Sequence, residues 1–216
     1  MDLTGILRKF VENGLSAATR ALRMTGIESL AIASVEDERT ELARAGRRFW
    51  GGNQIIANGI APVQAIPTTT ATLALVNKEK PGGASMLVDR ANFWLGSGTA
   101  AAGATLLAAV CEVAEANVPT TQETGYEVGS SSAGKPASKA LFKAALTVVD
   151  PVWVGLFSNF QLAAANVGQG DGWIESKGGI LVPPRYALGL AVLSGAGTTP
   201  LYGISLGWSE LVLDLE

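Results

Sequence analysis

The chain has 216 residues, a formal net charge of −3, one cysteine and no histidine. The negative charge argues against a function dominated by binding to nucleic-acid phosphates. The absence of histidine removes Ser-His-Asp and Cys-His nucleophilic sites, most zinc sites and the usual general base near neutral pH. The single cysteine, Cys111, excludes an intrachain disulfide, and its apolar surroundings predict a small buried side chain. The high mean hydropathy indicates surface that is hidden in an oligomer or assembly.

The first part of the chain has its own composition. Residues 1–48 contain 15 charged residues and no proline, whereas the 168 residues that follow contain only 20 charged residues. Apolar residues recur there at steps of three and four, which predicts an amphipathic helix with one apolar stripe. We therefore expect a helical N-terminal arm over residues 1–48 and a separate domain over residues 49–216. The stripe residues that we expect to dock on a protein surface are Leu3, Ile6, Leu7, Phe10 and Val11.

A membrane is a poor partner for this arm. The acidic residues Asp2, Glu12 and Glu28 flank the apolar stripe, and anionic side chains weaken binding to a membrane surface. No stretch of the chain approaches the about 20 apolar residues that a spanning helix needs. We expect the stripe to pack on protein instead.

From Trp50 onward, short apolar runs alternate with segments rich in glycine, serine, threonine and proline. This alternation of apolar runs and turn-forming segments predicts about eight or nine short strands in a mainly β domain, most simply an eight-stranded jelly-roll β-sandwich. Two Ala-rich segments, "ATLLAAVCEVAEA" and "ASKALFKAALTVV", suit helices as well as strands. The segment "TGYEVGSSSAGKPAS", from Thr124 to Ser138, is predicted to be a mobile loop.

The stretch "RYALGLAVLSGAGTTPLYGISLGWSEL" has a period of two and predicts two strands. With "SGAGTTP" as the turn, a hairpin would place Tyr186 opposite Trp208 and Leu188 opposite Leu206. Its other face would then be nearly bare, and a face of small residues lets another backbone approach closely. We expect a subunit contact on that face, although a flat face covered by solvent or a loop is the alternative. The contact residues would be Gly189, Ala191, Gly203, Ser205 and Gly207.

Two segments carry a resemblance to a known class of proteins. The last strands, "GGILVPPRYALGLAVLSGAGTTPLYGISLGWSEL", end in a Trp-x-Glu pattern formed by Trp208 and Glu210. The segment "PTTTATLALVNKEKPGGASMLVDRANFWLGSGTAAAGATLLAAV" contains an "NxxPxGG"-like turn, relaxed here to "NKEKPGG". Together they resemble the closing and early strands of single-jelly-roll virion structural proteins of bacteriophages. Residues 1–48 are not part of this resemblance.

The resemblance implies a capsid or decoration protein that is not an enzyme. It implies no catalytic residues, no metal site and no cofactor. Its partners would be other copies of the chain, in a homotrimer or a higher assembly, and other virion proteins, with no specific nucleic acid. Its location would be the virion, after synthesis in the host cytoplasm.

Two other functions stay open from the residues alone. One is a carbohydrate-binding or receptor-binding spike module on the same β-sandwich, because tryptophan rings can stack on sugars. Its candidate residues are Trp94, Trp153, Trp173 and Trp208. The other is a glycoside hydrolase that uses two carboxylates. Its candidate acids are Asp89, Asp171 and Glu175, and no spacing in the sequence brings two of them together.

Overall fold

The computed structural model describes residue 40 and residues 42–99, 104–130, 137–156, 174–194 and 198–212; for residues 174–178, 198 and 199 it describes the backbone only. The predicted docking residues of the arm, Leu3, Ile6, Leu7, Phe10 and Val11, therefore lie outside the described residues. So do residues 131–136 of the predicted loop, as well as Asp171 and Trp173.

The described residues form ten strands in two antiparallel sheets. Sheet A has the strand order β5-β1-β10-β3-β8, and sheet B has the order β6-β2-β9-β4-β7. Short 3-10 helices occupy Ile56–Asn58 and Glu115–Asn117. The strands are β1 (Arg48–Asn53), β2 (Thr70–Asn77), β3 (Ser85–Thr99), β4 (Ala104–Glu112), β5 (Tyr126–Ser130), β6 (Ala140–Thr147), β7 (Val154–Gly155), β8 (Ile174–Val182), β9 (Tyr186–Ser194) and β10 (Thr198–Leu211).

The prediction of a mainly β domain is confirmed. Both Ala-rich segments are strands, β4 and β6, although their composition also suits helices. Ala108 of β4 and Ala140 of β6 are each 1% exposed. Tertiary packing has overridden helix propensity here, because propensity is a weak preference beside the burial of a whole strand.

One continuous core joins the two sheets in a sandwich-like arrangement. Leu73 and Leu190 of sheet B belong to the same buried cluster as Ile204 and Leu206 of sheet A. Trp208 belongs to this cluster and is fully buried. Its ring contacts Phe49 of sheet A and Phe142 of sheet B, with centroid separations of 6.1 Å and 6.3 Å. Aromatic pairs at such distances add to the stabilisation from buried area.

The predicted hairpin of the last two strands is wrong. β9 pairs with β2 and β4 in sheet B, whereas β10 pairs with β1 and β3 in sheet A. Leu188 lies opposite Leu75, and Leu206 lies opposite Gly51. The large residues of both strands do face one core, but they face it from opposite sides. A period of two identifies the buried face of a strand and carries no information about its hydrogen-bonding partner.

The other face of sheet B is covered by the chain itself. Ala109 and Cys111 point away from the main core and belong to a second apolar cluster, which Trp153 partly covers. The Trp153 Nε1–H donates to the Pro67 carbonyl at 2.6 Å, which fixes the ring in place. Cys111 is 2% exposed, so its prediction as a small buried residue is confirmed. Burial raises the pKa of its thiol, which keeps the group neutral and unreactive.

Candidate interaction surface

On the face of sheet A that points away from the core, small residues lie beside tryptophan side chains. On this outer face Trp50 of β1 lies opposite Gly207 of β10, and Gly52 lies opposite Ser205. Gly129 of the edge strand β5 lies on the other side of Trp50. Three glycines and a serine thus surround one tryptophan, and main-chain atoms form much of the surface between them.

Tryptophan rings of the same chain fill the space above the small residues of β10. A Cβ atom added at Gly203 would clash with Cε2 and Cζ2 of Trp94 and would lie 2.8 Å from its Nε1. A Cβ atom added at Gly207 would lie 2.9 Å from Cζ3 of Trp50. Both distances are shorter than real Cβ contacts. The glycines are therefore required by close packing inside the chain.

The two predicted contact residues of β9 lie elsewhere. A Cβ atom at Gly189 would lie 3.2 Å from the Ala71 Cβ and 3.3 Å from Cη2 of Trp153, so the chain also covers this glycine. Ala191 is fully buried. Both residues belong to sheet B, whereas Gly203, Ser205 and Gly207 belong to sheet A.

The expectation that all five residues form one bare face is therefore corrected. The structure separates them because their two strands are in different sheets. At Gly189, Gly203 and Gly207, the close approach that small size permits is made by tryptophans of the same chain. A role of these positions in a subunit contact stays a prediction, and of the five only Ser205 is not fully buried.

A buried ion pair stabilises one end of the outer face. Arg48 donates from Nη1 to Asp89 Oδ2 at 3.0 Å and from Nη2 to Asp89 Oδ1 at 3.1 Å, and Nη1 also donates to Ser209 Oγ at 3.3 Å. The two charged side chains are 6% and 10% exposed. Asp89 reaches this position because it is the extra residue of a β-bulge: Val88 pairs with Trp208 and Arg90 with Gly207.

Two cationic groups lie close to the ring of Trp50. The Cζ atoms of Arg48 and Arg90 are 5.3 Å and 5.5 Å from its centroid, within the range of cation–π attraction. These contacts hold the ring against Gly207. Sequence reasoning did not single out Trp50, although "RFWGGN" places a large aromatic residue and Gly52 at a spacing of two, hence on one face of a strand.

A shallow depression of about 330 Å³ lies between β5, β1 and β10. It offers an indole ring, a carboxylate, an amide and a hydroxyl group above a floor of main chain, a mixture typical of protein contact surfaces. No group of three or more His, Cys, Asp or Glu side chains in the described part of the chain could hold a metal ion. We call this region the candidate interaction surface, and its main residues are Trp50, Gly52, Gln54, Glu127, Gly129 and Ser205.

The residues of the Trp-x-Glu pattern have structural roles. Trp208 is fully buried in the core. Glu210 uses one carboxylate oxygen, Oε1, to accept hydrogen bonds from the Ser138 hydroxyl and from the Lys139 N–H, the latter at 2.8 Å. Because Glu210 belongs to sheet A and Lys139 immediately precedes β6 of sheet B, this carboxylate ties the two sheets together.

Several described residues among those proposed for the two alternative functions have partners within the chain. Trp94 packs on Gly203, and Trp153 covers the outer face of sheet B. Asp89 accepts two hydrogen bonds from Arg48, and Glu175 of β8 lies opposite Arg90 in the register of the strands. Among the described residues, no specific observation therefore supports sugar stacking or a pair of catalytic acids.

Comparison with known proteins does not assign the chain to a family. No protein-family model matches the chain, and no curated protein or solved structure matches it either. Among the residues that the structure describes, no helix is long and apolar enough to cross a membrane. Function is therefore inferred from the sequence and from the geometry of the two sheets.

Proposed function

We propose that the chain is a virion structural protein, a capsid or capsid-associated subunit, and that its two sheets form a jelly roll. The observation that carries the proposal is the strand order. Without the edge strands β5 and β6, the order is β1-β10-β3-β8 in sheet A and β2-β9-β4-β7 in sheet B. The first strand lies beside the last, and apart from β4 and β7 successive strands lie in opposite sheets. This strand order supports the assignment of an eight-stranded jelly roll.

The jelly roll is a fold of viral capsid and lectin domains, so the fold alone does not select between them. Two features favour the capsid function. The first is the resemblance of the early and closing strands to virion proteins. The second is that three tryptophans available for sugar stacking, Trp94, Trp153 and Trp208, pack within the chain. In this function the sandwich is a rigid block, and association through symmetric contacts of standard size buries about 1,600 Å² in total.

The experiment that tests this function is sedimentation of the purified full-length chain together with electron microscopy. We expect trimers or closed shells, because a subunit of a symmetric particle associates with copies of itself. A particle with threefold symmetry supports the proposal. A chain that sediments as a monomer at every concentration and forms no particle contradicts it.

A single substitution tests whether the candidate interaction surface makes the contact. Gly129→Arg adds a long cation beside Trp50, and the nearest atom to a Cβ at this position is the Trp50 carbonyl oxygen at 3.9 Å. The side chain therefore has room, and we expect the free energy of unfolding to change by no more than about 0.5 kcal/mol. We expect the assembly to dissociate, which sedimentation measures.

The matched control is Gly155→Arg in β7 of sheet B. Its added Cβ would have ordinary contact with Thr105 Cγ2 at 3.6 Å, so this position also accepts a side chain without strain. We expect Gly155→Arg to assemble as the wild type does. If Gly129→Arg also keeps the wild-type assembly, the outer face of sheet A does not form the contact.

A further inference from the structure

The outward-facing amides of β6 are bonded to side chains of a preceding loop. In the described part of the chain, β6 is an edge strand of sheet B. The N–H of Phe142 donates to Gln122 Oε1 at 3.1 Å, and the N–H of Ala144 donates to Glu123 Oε2 at 3.1 Å. The two donors are two residues apart, which is the spacing at which a strand presents groups to a neighbouring strand.

The main chain of the same loop completes this arrangement. The N–H of Glu123 donates to the Phe142 carbonyl at 3.1 Å, so both outward groups of Phe142 are bonded. The Lys143 ammonium also donates to Glu123 Oε2 at 2.9 Å. Hydrogen bonds from Lys143 and from the Ala144 N–H hold the pKa of Glu123 below its usual range, so the group stays an ionised acceptor at neutral pH.

Ser138, which precedes β6, extends this pattern of capped amides. The N–H of Ala140 donates to Ser138 Oγ at 3.0 Å. Three successive outward donors of the strand, at Ala140, Phe142 and Ala144, are thus bonded to side-chain oxygens of Ser138, Gln122 and Glu123. An exposed strand edge is a template for pairing with another chain, and proteins that avoid such pairing cover it. The loop side chains occupy the places of the carbonyl groups of a neighbouring strand.

We infer that Gln122 and Glu123 form an edge guard, which keeps β6 from pairing with β6 of a second copy of this chain. An antiparallel pair of two β6 strands fits around a twofold axis at Phe142. That register places Ala140 opposite Ala144 and Leu141 opposite Lys143, so no like charges face each other. Each outward N–H bonded to the guard would then meet a carbonyl of the partner strand.

The edge guard has a consequence for assembly. With β6 covered, association of the wild-type chain must use faces of the sandwich or other edges, and growth by sheet extension at β6 is prevented. This inference does not rest on the proposed function, because it concerns an edge of sheet B and not the outer face of sheet A. It applies to a virion subunit and to a monomer alike.

The test removes the guard and detects the new pairing directly. Gln122→Ala with Glu123→Ala is expected to raise the sedimenting mass above that of the wild type as concentration increases. The mass doubles if the wild type is a monomer, because a twofold contact closes after one partner is added, and it rises further if the wild type is an oligomer with several β6 edges. In this background, Leu141→Cys and Lys143→Cys are made as separate proteins. Opposed residues of a non-hydrogen-bonded pair lie about 4.5 Å apart, within the range of a disulfide.

The cross-link specifies the register. We expect a disulfide-linked dimer when the two cysteine proteins are mixed under oxidising conditions, and no cross-link from either protein alone or from both with an intact guard. Two single substitutions are controls. Glu123→Gln keeps a carbonyl acceptor for Ala144, and Lys143→Met keeps both capped amides, so each is expected to sediment as the wild type.

The result that overturns the inference is a folded double variant with the wild-type mass and no cross-link in the mixture. If the double variant does not fold, the single Glu123→Ala, which uncaps Ala144 alone, is used for the same cross-linking test. A wild-type chain that proves to be a monomer would contradict the proposed function. It would not affect the test of the edge guard, because that test compares each variant with the wild type.

Discussion

Asp89→Ala is expected to lower the free energy of unfolding by about 3–5 kcal/mol, the range for breaking a buried ion pair by removing one partner. The Asp89 carboxylate makes two hydrogen bonds with Arg48, at 3.0 Å and 3.1 Å, and both side chains are at most 10% exposed. Without the carboxylate, the buried Arg48 guanidinium loses both hydrogen bonds of this ion pair. Urea unfolding followed by circular dichroism measures the change.

Two further variants separate charge burial from packing at this site. Arg48→Met with Asp89→Leu removes both charges and keeps apolar volume, so we expect it to recover most of the loss, since such replacements are often neutral or stabilising. Glu115→Ala breaks the pair with Arg185 at 3.0 Å, where the Glu115 side chain is 82% exposed, and we expect no measurable effect. An equal loss in Glu115→Ala and Asp89→Ala would contradict the explanation.

Gly203→Val is expected to destabilise the chain by about 3 kcal/mol, the upper end of the usual range for overpacking. The added side chain would clash with Cε2 and Cζ2 of Trp94, and Gly203 lies on a central strand of sheet A with little freedom to move. The backbone at Gly203 is not in the left-handed region, so the cost is steric. The change in the midpoint of urea unfolding measures it.

A double-mutant cycle with Trp94→Ala identifies the cause. Trp94→Ala removes the ring from above Gly203, and the valine of the double variant then has space. We expect the double variant to be more stable than the sum of the two single losses predicts, with a coupling of about 1–3 kcal/mol. Gly129→Ala is the control, because a Cβ there meets nothing closer than 3.9 Å. Additive losses would show that Trp94 is not the obstacle.

The two largest expected effects both lie on the outer face of sheet A, which in most sandwiches is a polar surface facing solvent. Here glycines, tryptophans and one buried ion pair form a second packed layer on that side. The candidate interaction surface is the part of this face that stays open, beside Trp50 and Gly129. Its shape therefore depends on packing that the Gly203 and Asp89 variants disturb.

The sequence by itself determined the class of fold and the buried faces of several strands. Alternation in β9 and β10 correctly placed Leu188 and Leu206 in the core, and the neighbours of Cys111 correctly predicted its burial. Such features are local, because a strand turns successive side chains to opposite sides and the apolar side is buried. The turn-rich composition likewise indicated short strands rather than long helices.

Only the tertiary structure decided which strands are neighbours and what covers the small residues. The sequence could not place β9 and β10 in different sheets, nor show that Trp94 covers Gly203. Arg48 and Asp89 are 41 positions apart, and no local pattern marks them as a pair. The edge guard of β6 comes from a loop about 20 positions earlier in the chain. The physical reason is that pairing between distant segments depends on the packing of the whole chain, whereas alternation and composition act within a few residues.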